Sequence, residues 1–385
     1  MFAEELARLD AAGLRRQRRT LESAQSAKVV VDGNPYVAFC SNDYLGLANH
    51  PYLISAAQAG AQAHGVGAGA SHLVLGHARA HEQLEQALTA FVQLPRALLF
   101  STGYMANIGT VTALLGREDA VFADRLNHAS LNDACQLSRA QFKRYAHNDL
   151  TQLEQLLATT KARRKLIAVD AVFSMDGDIA PVRELVALAD RHDAWILLDD
   201  AHGFGVLGEN GRGVLEHFNV KHPRVIYMGT LGKAAGVCGA FVAGEADLIE
   251  TLMQRARTYI YTTAIPPLLA CALMKSVELI ADGGALRQQL QKNIYQLKQI
   301  LTSIPSSWRL LSSDTAIQPL IIGDNRAALA VADALKARGI LVPAIRPPSV
   351  PPNTARLRIS LSAAHTADDI RQLGTALRDA ATVFT

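Results

Sequence analysis

From about residue 50 the chain alternates helix-length amphipathic segments with short apolar runs, and this rhythm constrains its fold more than any other feature. The runs that read as strands are 97–100, 120–123, 165–170, 195–199, 225–228 and 240–243, with segments such as 182–192 between them. Apolar runs too short for helices and spaced by helices imply a mostly parallel sheet covered on both faces. Ligand sites in such sheets lie at the carboxyl ends of the strands. The expected fold class is therefore α/β, with a central sheet in a large domain over 49–280. An N-terminal helix and hairpin segment over 1–48 precedes it, and a smaller α/β domain over 281–385 follows. The N-terminal helix is expected over 2–22, with Asp32-Gly33 as the hairpin turn. A long helical stretch is expected over 268–302, and later strands near 317–322, 341–342 and 356–361.

A chain of 385 residues can bury a large core, and its formal net charge of +3 demands neither nucleic acid nor an anionic membrane as partner. Cys40, Cys135, Cys238 and Cys271 form no CxxC pair, which fits reduced thiols in the cytoplasm. The first residues carry acids and no signal-like apolar core, and no apolar run reaches the ~20 residues of a membrane span.

Three local motifs fail on context. Gly65-Val-Gly67-Ala-Gly69-Ala70 partly fits a dinucleotide fingerprint but follows a helix, so a tight loop is expected. Gly232-Lys233 lacks the Ser/Thr and the first glycine of a nucleotide-binding loop. His77 and His81 share a helical face with no third ligand in sight, which favours solvated histidines over zinc and leaves no metal expected.

The strand ends carry the chemistry. Ser101-Thr-Gly103-Tyr104 opens a helix whose free amides suit a phosphate. His128 follows the next strand and could stack on a planar ring. Ser174 follows 165–170, and Asp199-Asp-Ala-His202 follows 195–199. Lys233 stands in a small-residue turn, Thr230-Leu-Gly-Lys233-Ala-Ala-Gly236, where backbone approaches a flat ligand closely and the amine is shielded. Each alone is an ordinary cap or loop residue. Together, a phosphate cradle, a stacking ring, a hydroxyl, an acid, a histidine and a lysine are what a pyridoxal 5'-phosphate (PLP) site needs.

With those residues in view, the chain resembles the α-oxoamine synthases, a branch of the fold-type I PLP enzymes, from about residue 10 onward. The resemblance rests on Ser41-Asn-Asp-Tyr-Leu-Gly-Leu47, Asn127-His-Ala-Ser130, Val172-Phe-Ser-Met-Asp-Gly177, Asp199-Asp-Ala-His-Gly203 and Thr230-Leu-Gly-Lys233. Its biotin-pathway branch is closest in the stretch from Ile345 to His365, through Arg346-Pro-Pro-Ser349. The resemblance implies that Lys233 carries the cofactor as a Schiff base and later moves a proton. It further implies that Asp199 pairs with the pyridine nitrogen, His202 reaches the phenolic oxygen and His128 stacks on the ring. Gly103 and Tyr104 would serve the phosphate side, with hydroxyls from Ser174 and Thr230. Arg346 would clamp the amino-acid carboxylate, with Asn42, Ser349 and the N-terminal Arg15 lining the substrate side, and Arg16 as the one-residue alternative to Arg15. The implied substrates are L-alanine and a pimeloyl thioester, of CoA or of an acyl carrier protein. The implied assembly is a homodimer with shared active sites, where Thr262 or Thr263 touches the partner's phosphate. Asp170 stands where the family usually carries Glu, and Ser349 where Thr is frequent.

Overall fold

The structure, a computed structural model, describes residues 2–302, 304 and 308–384. It comprises two compact units, one of residues 1–49, 175–178 and 285–385, the other of residues 50–174 and 179–284. The N-terminal segment thus groups with the C-terminal region.

In the first unit the opening helix, Phe2–Ala11, stops well short of the expected residue 22. Gly13 turns left-handed at φ +63°, and the Leu14 amide bonds back to the Leu9 carbonyl at 2.8 Å, a C-terminal cap that ends the helix. Strands β1 (Lys28–Val31) and β2 (Asn34–Ala38) form the expected hairpin. Asp32 and Gly33, at φ +49° and +77°, supply the mirror-image turn that matches strand twist. Ile340–Leu341 adds to β2 in parallel. A second sheet runs Arg309–Leu310, Ile317–Gly323, Ala355–Ser360, Ala344–Ile345, all antiparallel. The helical stretch expected over 268–302 is two helices, Pro267–Ala281 and Gly284–Leu301.

The second unit is built on a seven-stranded sheet. Its strands are β3 (Arg96–Phe100), β4 (Ala120–Asp124), β5 (Gln141–Tyr145), β6 (Lys165–Asp170), β7 (Ala194–Asp199), β8 (Val225–Thr230) and β9 (Ala240–Gly244). The spatial order is β3-β9-β8-β7-β6-β4-β5, and only β9 runs antiparallel to its neighbours. Every residue of β4, β8 and β9 is buried, as helices on both faces require. One packed cluster joins Leu98, Phe100, Val121, Leu166, Leu197, Ile226 and Met228. Each such side chain contributes roughly 1.5–3 kcal/mol by leaving water.

Strand β5, Gln-Phe-Lys-Arg-Tyr, was not anticipated. It is the sheet's edge, paired only with β4, and its half-solvated positions tolerate Lys143 and Arg144.

Candidate active site

The carboxyl ends of the parallel strands open on a cavity of about 190 Å³. It is lined by Gly103, Tyr104, His128, Ser130, Asp170, Val172, Ser174, Asp199, Ala201, His202, Met228, Thr230 and Lys233. Eight residues expected to serve the cofactor therefore meet around one space, Gly103, Tyr104, His128, Ser174, Asp199, His202, Thr230 and Lys233, and Asp170 joins them.

After β3, Thr102 caps the helix Gly103–Leu114 by accepting the Met105 amide at 3.1 Å. The preceding amides, those of Gly103 and Tyr104, are first-turn donors at the positive end of the helix dipole. A Cβ on Gly103 would come no closer than 3.7 Å to its neighbours, so the glycine leaves its side of the cavity open rather than relieving a clash. The Tyr104 hydroxyl donates to Asp133.

After β4, His128 caps the helix Ala129–Leu137. Its amide donates to Asp170 Oδ2 at 2.9 Å and its Nδ1 lies 2.8 Å from Ser130 Oγ. Partial burial lowers the His128 pKa; Asp199 opposes that shift and Lys233 reinforces it. The imidazole is therefore neutral near neutrality, the form suited to stacking.

Asp199 ends β7, nearly inaccessible at 5% exposure. Its Oδ2 accepts from Asn107 Nδ2 at 2.7 Å, and its Oδ1 accepts from the Ala201 amide at 3.0 Å. Asn107 Nδ2 also donates to Ser130 Oγ at 2.9 Å, which joins Asp199 to the His128 loop through one side chain. Asn107 and Ser130 were not recognised as site residues. The available signal was a polar amide one turn into an otherwise apolar helix, a position that burial makes costly unless it is used. Asp170 is fully buried with one oxygen, Oδ1, unpartnered, and burial followed by the Asp199 charge raises its pKa well above the usual range. A protonated Asp170 offers a donor into the cavity.

The adjacent acid differs. Asp200 faces away, where its Oδ2 accepts the Val214 amide at 2.7 Å and the Tyr227 hydroxyl at 2.8 Å. Burial pushes its pKa up to about 7 despite those bonds. A carboxyl raised on folding contributes stability that is complete below its unfolded pKa and disappears as pH rises through the folded value. We expect Asp200→Asn to flatten the decline in Tm between pH 5 and pH 8. Asp170 and Glu85 shift the same way, so the slope is reduced rather than abolished. Thermal melts across that range measure it; an unchanged slope would refute the assignment.

Lys233 sits in the turn after β8, half-buried, with Nζ 2.8 Å from His202 Nε2. The turn is pinned by Leu231 N to Gly239 O at 2.8 Å and Gly236 N to Lys233 O at 2.8 Å. Gly236 and Gly239 hold φ of +74° and +98°, which side-chain-bearing residues rarely adopt. Thr230 Oγ1 donates to the Gly239 carbonyl at 3.2 Å.

The remaining candidates are not among the residues that line this cavity. Thr262 and Thr263 belong to the segment after Tyr261, and Thr263 pairs with Ser71 across an isolated antiparallel bridge. Asn42, Ser349, Arg346 and Arg15 belong to the other unit. There Asn42 Oδ1 accepts from the Tyr44 hydroxyl at 3.2 Å and from Arg358 at 3.3 Å. Arg346 donates to the Gly13 carbonyl, its Nε is buried without an acceptor, and the Ser349 amide donates to its carbonyl at 3.1 Å. Arg15 is engaged by Asp10 at 2.6 Å, whereas Arg16 is close enough to Arg346 that its charge, after burial, lowers the Arg346 pKa.

The histidines of 72–81 differ from the expectation of solvated rings. The helix begins at Arg79, so His77 precedes it, and His81 is completely buried. His81 is held inside because both ring nitrogens have partners, the Ala78 amide at 2.9 Å and the Ile265 carbonyl at 2.8 Å.

Residues 34–377 match the family described as Aminotransferase class I and II. The 8-amino-7-oxononanoate synthase of Nitrosospira multiformis is 64% identical over 366 residues, 95% of this chain and 92% of that protein. A serine palmitoyltransferase from S. paucimobilis, solved with a bound PLP–myriocin aldimine, superposes with TM-score 0.94 at 30% identity, covering 100% of this chain and 97% of that one. The 8-amino-7-oxononanoate synthase of Francisella tularensis superposes with TM-score 0.78 at 31% identity, covering 89% and 97%.

Proposed function

The chain belongs to the aminotransferase class I and II family, and from that membership we propose a PLP-dependent acyltransferase that makes 8-amino-7-oxononanoate in biotin biosynthesis. It joins L-alanine to a pimeloyl thioester and releases the alanine carboxyl as carbon dioxide together with the free thiol. The observation that carries this reading is one cavity holding a lysine amine beside a histidine and an aspartate fixed by two hydrogen bonds.

The cavity fits the cofactor chemically. Asp199 has both carboxylate oxygens held by hydrogen bonds at the edge of the cavity, which suits a protonated ring nitrogen. The amides of Gly103 and Tyr104 suit the phosphate, Ser174 and Thr230 add hydroxyls, and His128 supplies a neutral ring for stacking. Bound there, PLP supplies an electrophilic carbon for the amino group and a ring that accepts the electron pair left at the α-carbon.

The chain's own residues do the rest. Lys233 Nζ takes the α-proton of alanine and returns a proton after decarboxylation; His202, 2.8 Å away, keeps the amine aimed. Asp199 keeps the ring nitrogen protonated, and Asn107 keeps Asp199 in place. Arg346 clamps a carboxylate, for which its unpartnered Nε is suited. Arg16, near Arg346, is the better candidate than Arg15 for the second cation, since Asp10 occupies Arg15.

The working form is a cytoplasmic homodimer. Val66, Val74 and Leu75 are 78%, 78% and 87% exposed, and Tyr261 is also bare, more apolar surface along these two segments than a monomer usually leaves open. Among the described residues no helix is long and apolar enough to cross a membrane.

The test is product formation by purified, PLP-saturated protein. Alanine with pimeloyl-CoA is expected to release CoA thiol and carbon dioxide together. Serine with palmitoyl-CoA, the pairing suggested by the palmitoyltransferase neighbour, is expected to release neither. The reverse result would overturn the substrate assignment while leaving the cofactor assignment standing.

A further inference from the structure

Three imidazoles outside the cofactor cavity converge at the start of the helix Arg79–Val92. His72, on the short helical turn His72–Gly76, has its Nδ1 2.9 Å from His77 Nδ1. The His81 ring centroid lies 5.2 Å from that of His72 and 5.6 Å from that of His77. One nitrogen of each ring lies within 4.8 Å of one nitrogen of each of the others.

The hydrogen bonds around the cluster decide which nitrogens are free to ligate. His77 Nε2 lies 3.3 Å from Glu82 Oε2, and a carboxylate can only accept, so that nitrogen carries the proton and Nδ1 keeps its lone pair. His81 Nε2 lies 2.8 Å from the Ile265 carbonyl, which likewise leaves the lone pair on Nδ1. Two rings thus donate outward, one to a carboxylate and one to a backbone carbonyl, with Nδ1 left to accept. This is the outer arrangement that orients metal-bound histidines. His72 is buried and stacked on Tyr259, centroids 4.8 Å apart and planes 12° off parallel. Because His77 Nδ1 keeps its lone pair, His72 Nδ1 is the donor of the 2.9 Å contact between them, and ligation through that nitrogen moves its proton to Nε2.

We propose that His72, His77 and His81 form a binding site for a divalent transition-metal ion of the zinc class, with solvent completing the coordination. Zn–N bonds of about 2.0–2.1 Å in a tetrahedron put nitrogens roughly 3.3 Å apart. The His72–His77 pair is already at that scale, and the third ring closes the rest by about 1.5 Å at most. His81 Nδ1 would exchange its bond from the Ala78 amide for the ion, and that half-exposed amide can turn to water. His77, half-exposed, is the way in. The ion would tie the turn His72–Gly76 to the helix behind it and, through His81 and Ile265, to the segment that carries Thr262 and Thr263. The site is a structural staple whose ligands are not among the residues that line the cofactor cavity.

The experiment uses untagged, PLP-saturated full-length protein stripped by a chelator and titrated with Co²⁺. Wild type is expected to bind one ion per chain with the visible bands of nitrogen-rich tetrahedral cobalt, and to gain thermal stability on binding. His77→Asn is expected to abolish both, with the metal-free Tm lowered by no more than a few degrees for its lost contacts to His72 and Glu82. Should that variant fail to fold, Glu82→Gln, on an exposed side chain, is expected to weaken Co²⁺ about 10-fold or more through the outer hydrogen bond. Absence of saturable one-to-one binding, or binding that survives both substitutions, would overturn the proposal.

Discussion

Replacing Lys233 with alanine is expected to lower turnover about 10⁴-fold, the upper range for a positioned proton-transfer group. The size of the loss follows from the absence of a substitute. Two other nitrogen bases line the cavity: His202, whose Nε2 points at the lysine, and His128, whose Nδ1 is engaged by Ser130 Oγ. The fold should be indifferent. The turn around Lys233 is held by backbone bonds among Leu231, Lys233, Gly236 and Gly239, none of which uses the amine. Tm is therefore expected to move by no more than a few degrees. Two readouts separate this from general damage. The purified wild type should show the near-visible absorbance of lysine-linked PLP, and Lys233→Ala should lose that band while still retaining PLP through Asp199 and the helix amides. Small primary amines added to the variant should restore part of the proton transfer. A variant that kept the band or kept a tenth of the turnover would refute the assignment of Lys233.

The residues legible in the sequence share a physical property: they sit where an apolar strand stops. Strands β4, β6, β7 and β8 are buried on both faces, so their runs are continuous, and the polar residues that end them, such as Asp199 and Thr230, are placed by the sheet itself. Ser174, His128 and Lys233 follow by the same logic a few residues further on. What escaped reading depends on tertiary partners. Strand β5 is an edge whose Lys143 and Arg144 resemble a loop, and only its pairing with β4 makes it a strand. The helix expected to reach residue 22 ends at Ala11 because Gly13 turns left-handed, and arginine-rich sequence after it carries no helix-breaking signal apart from that glycine. His81 looked solvated because its shielding partner, Ile265, lies far away in the sequence. Asn107 is the instructive case. Its role rests on reaching Asp199, at the end of β7, from the helix Gly103–Leu114, a contact that no local pattern encodes.

Asp199→Asn is expected to slow abstraction of the alanine α-proton about 10³-fold with little change in the concentration of alanine needed. A unit charge within about 4 Å of a ring nitrogen bound there would be worth about 4 kcal/mol at an effective dielectric near 20, energy that would go into keeping the ring protonated. Four kcal/mol is about three powers of ten in rate. The neutral isostere should leave the cavity intact, because its oxygen can still accept the Ala201 amide. Its new amide would face Asn107, whose Oδ1 is buried and unpartnered and can turn to accept it. The loss would thus report charge rather than collapse. Asp199→Glu keeps the charge but displaces it by one methylene, so it should recover part of the rate. Exchange of the alanine α-proton into deuterated solvent, measured without acyl donor, isolates the step. If Asp199→Asn exchanged within 10-fold of wild type, the ring proton would have to be held by another group, and the buried Asp170, whose pKa burial raises, would be the next to test.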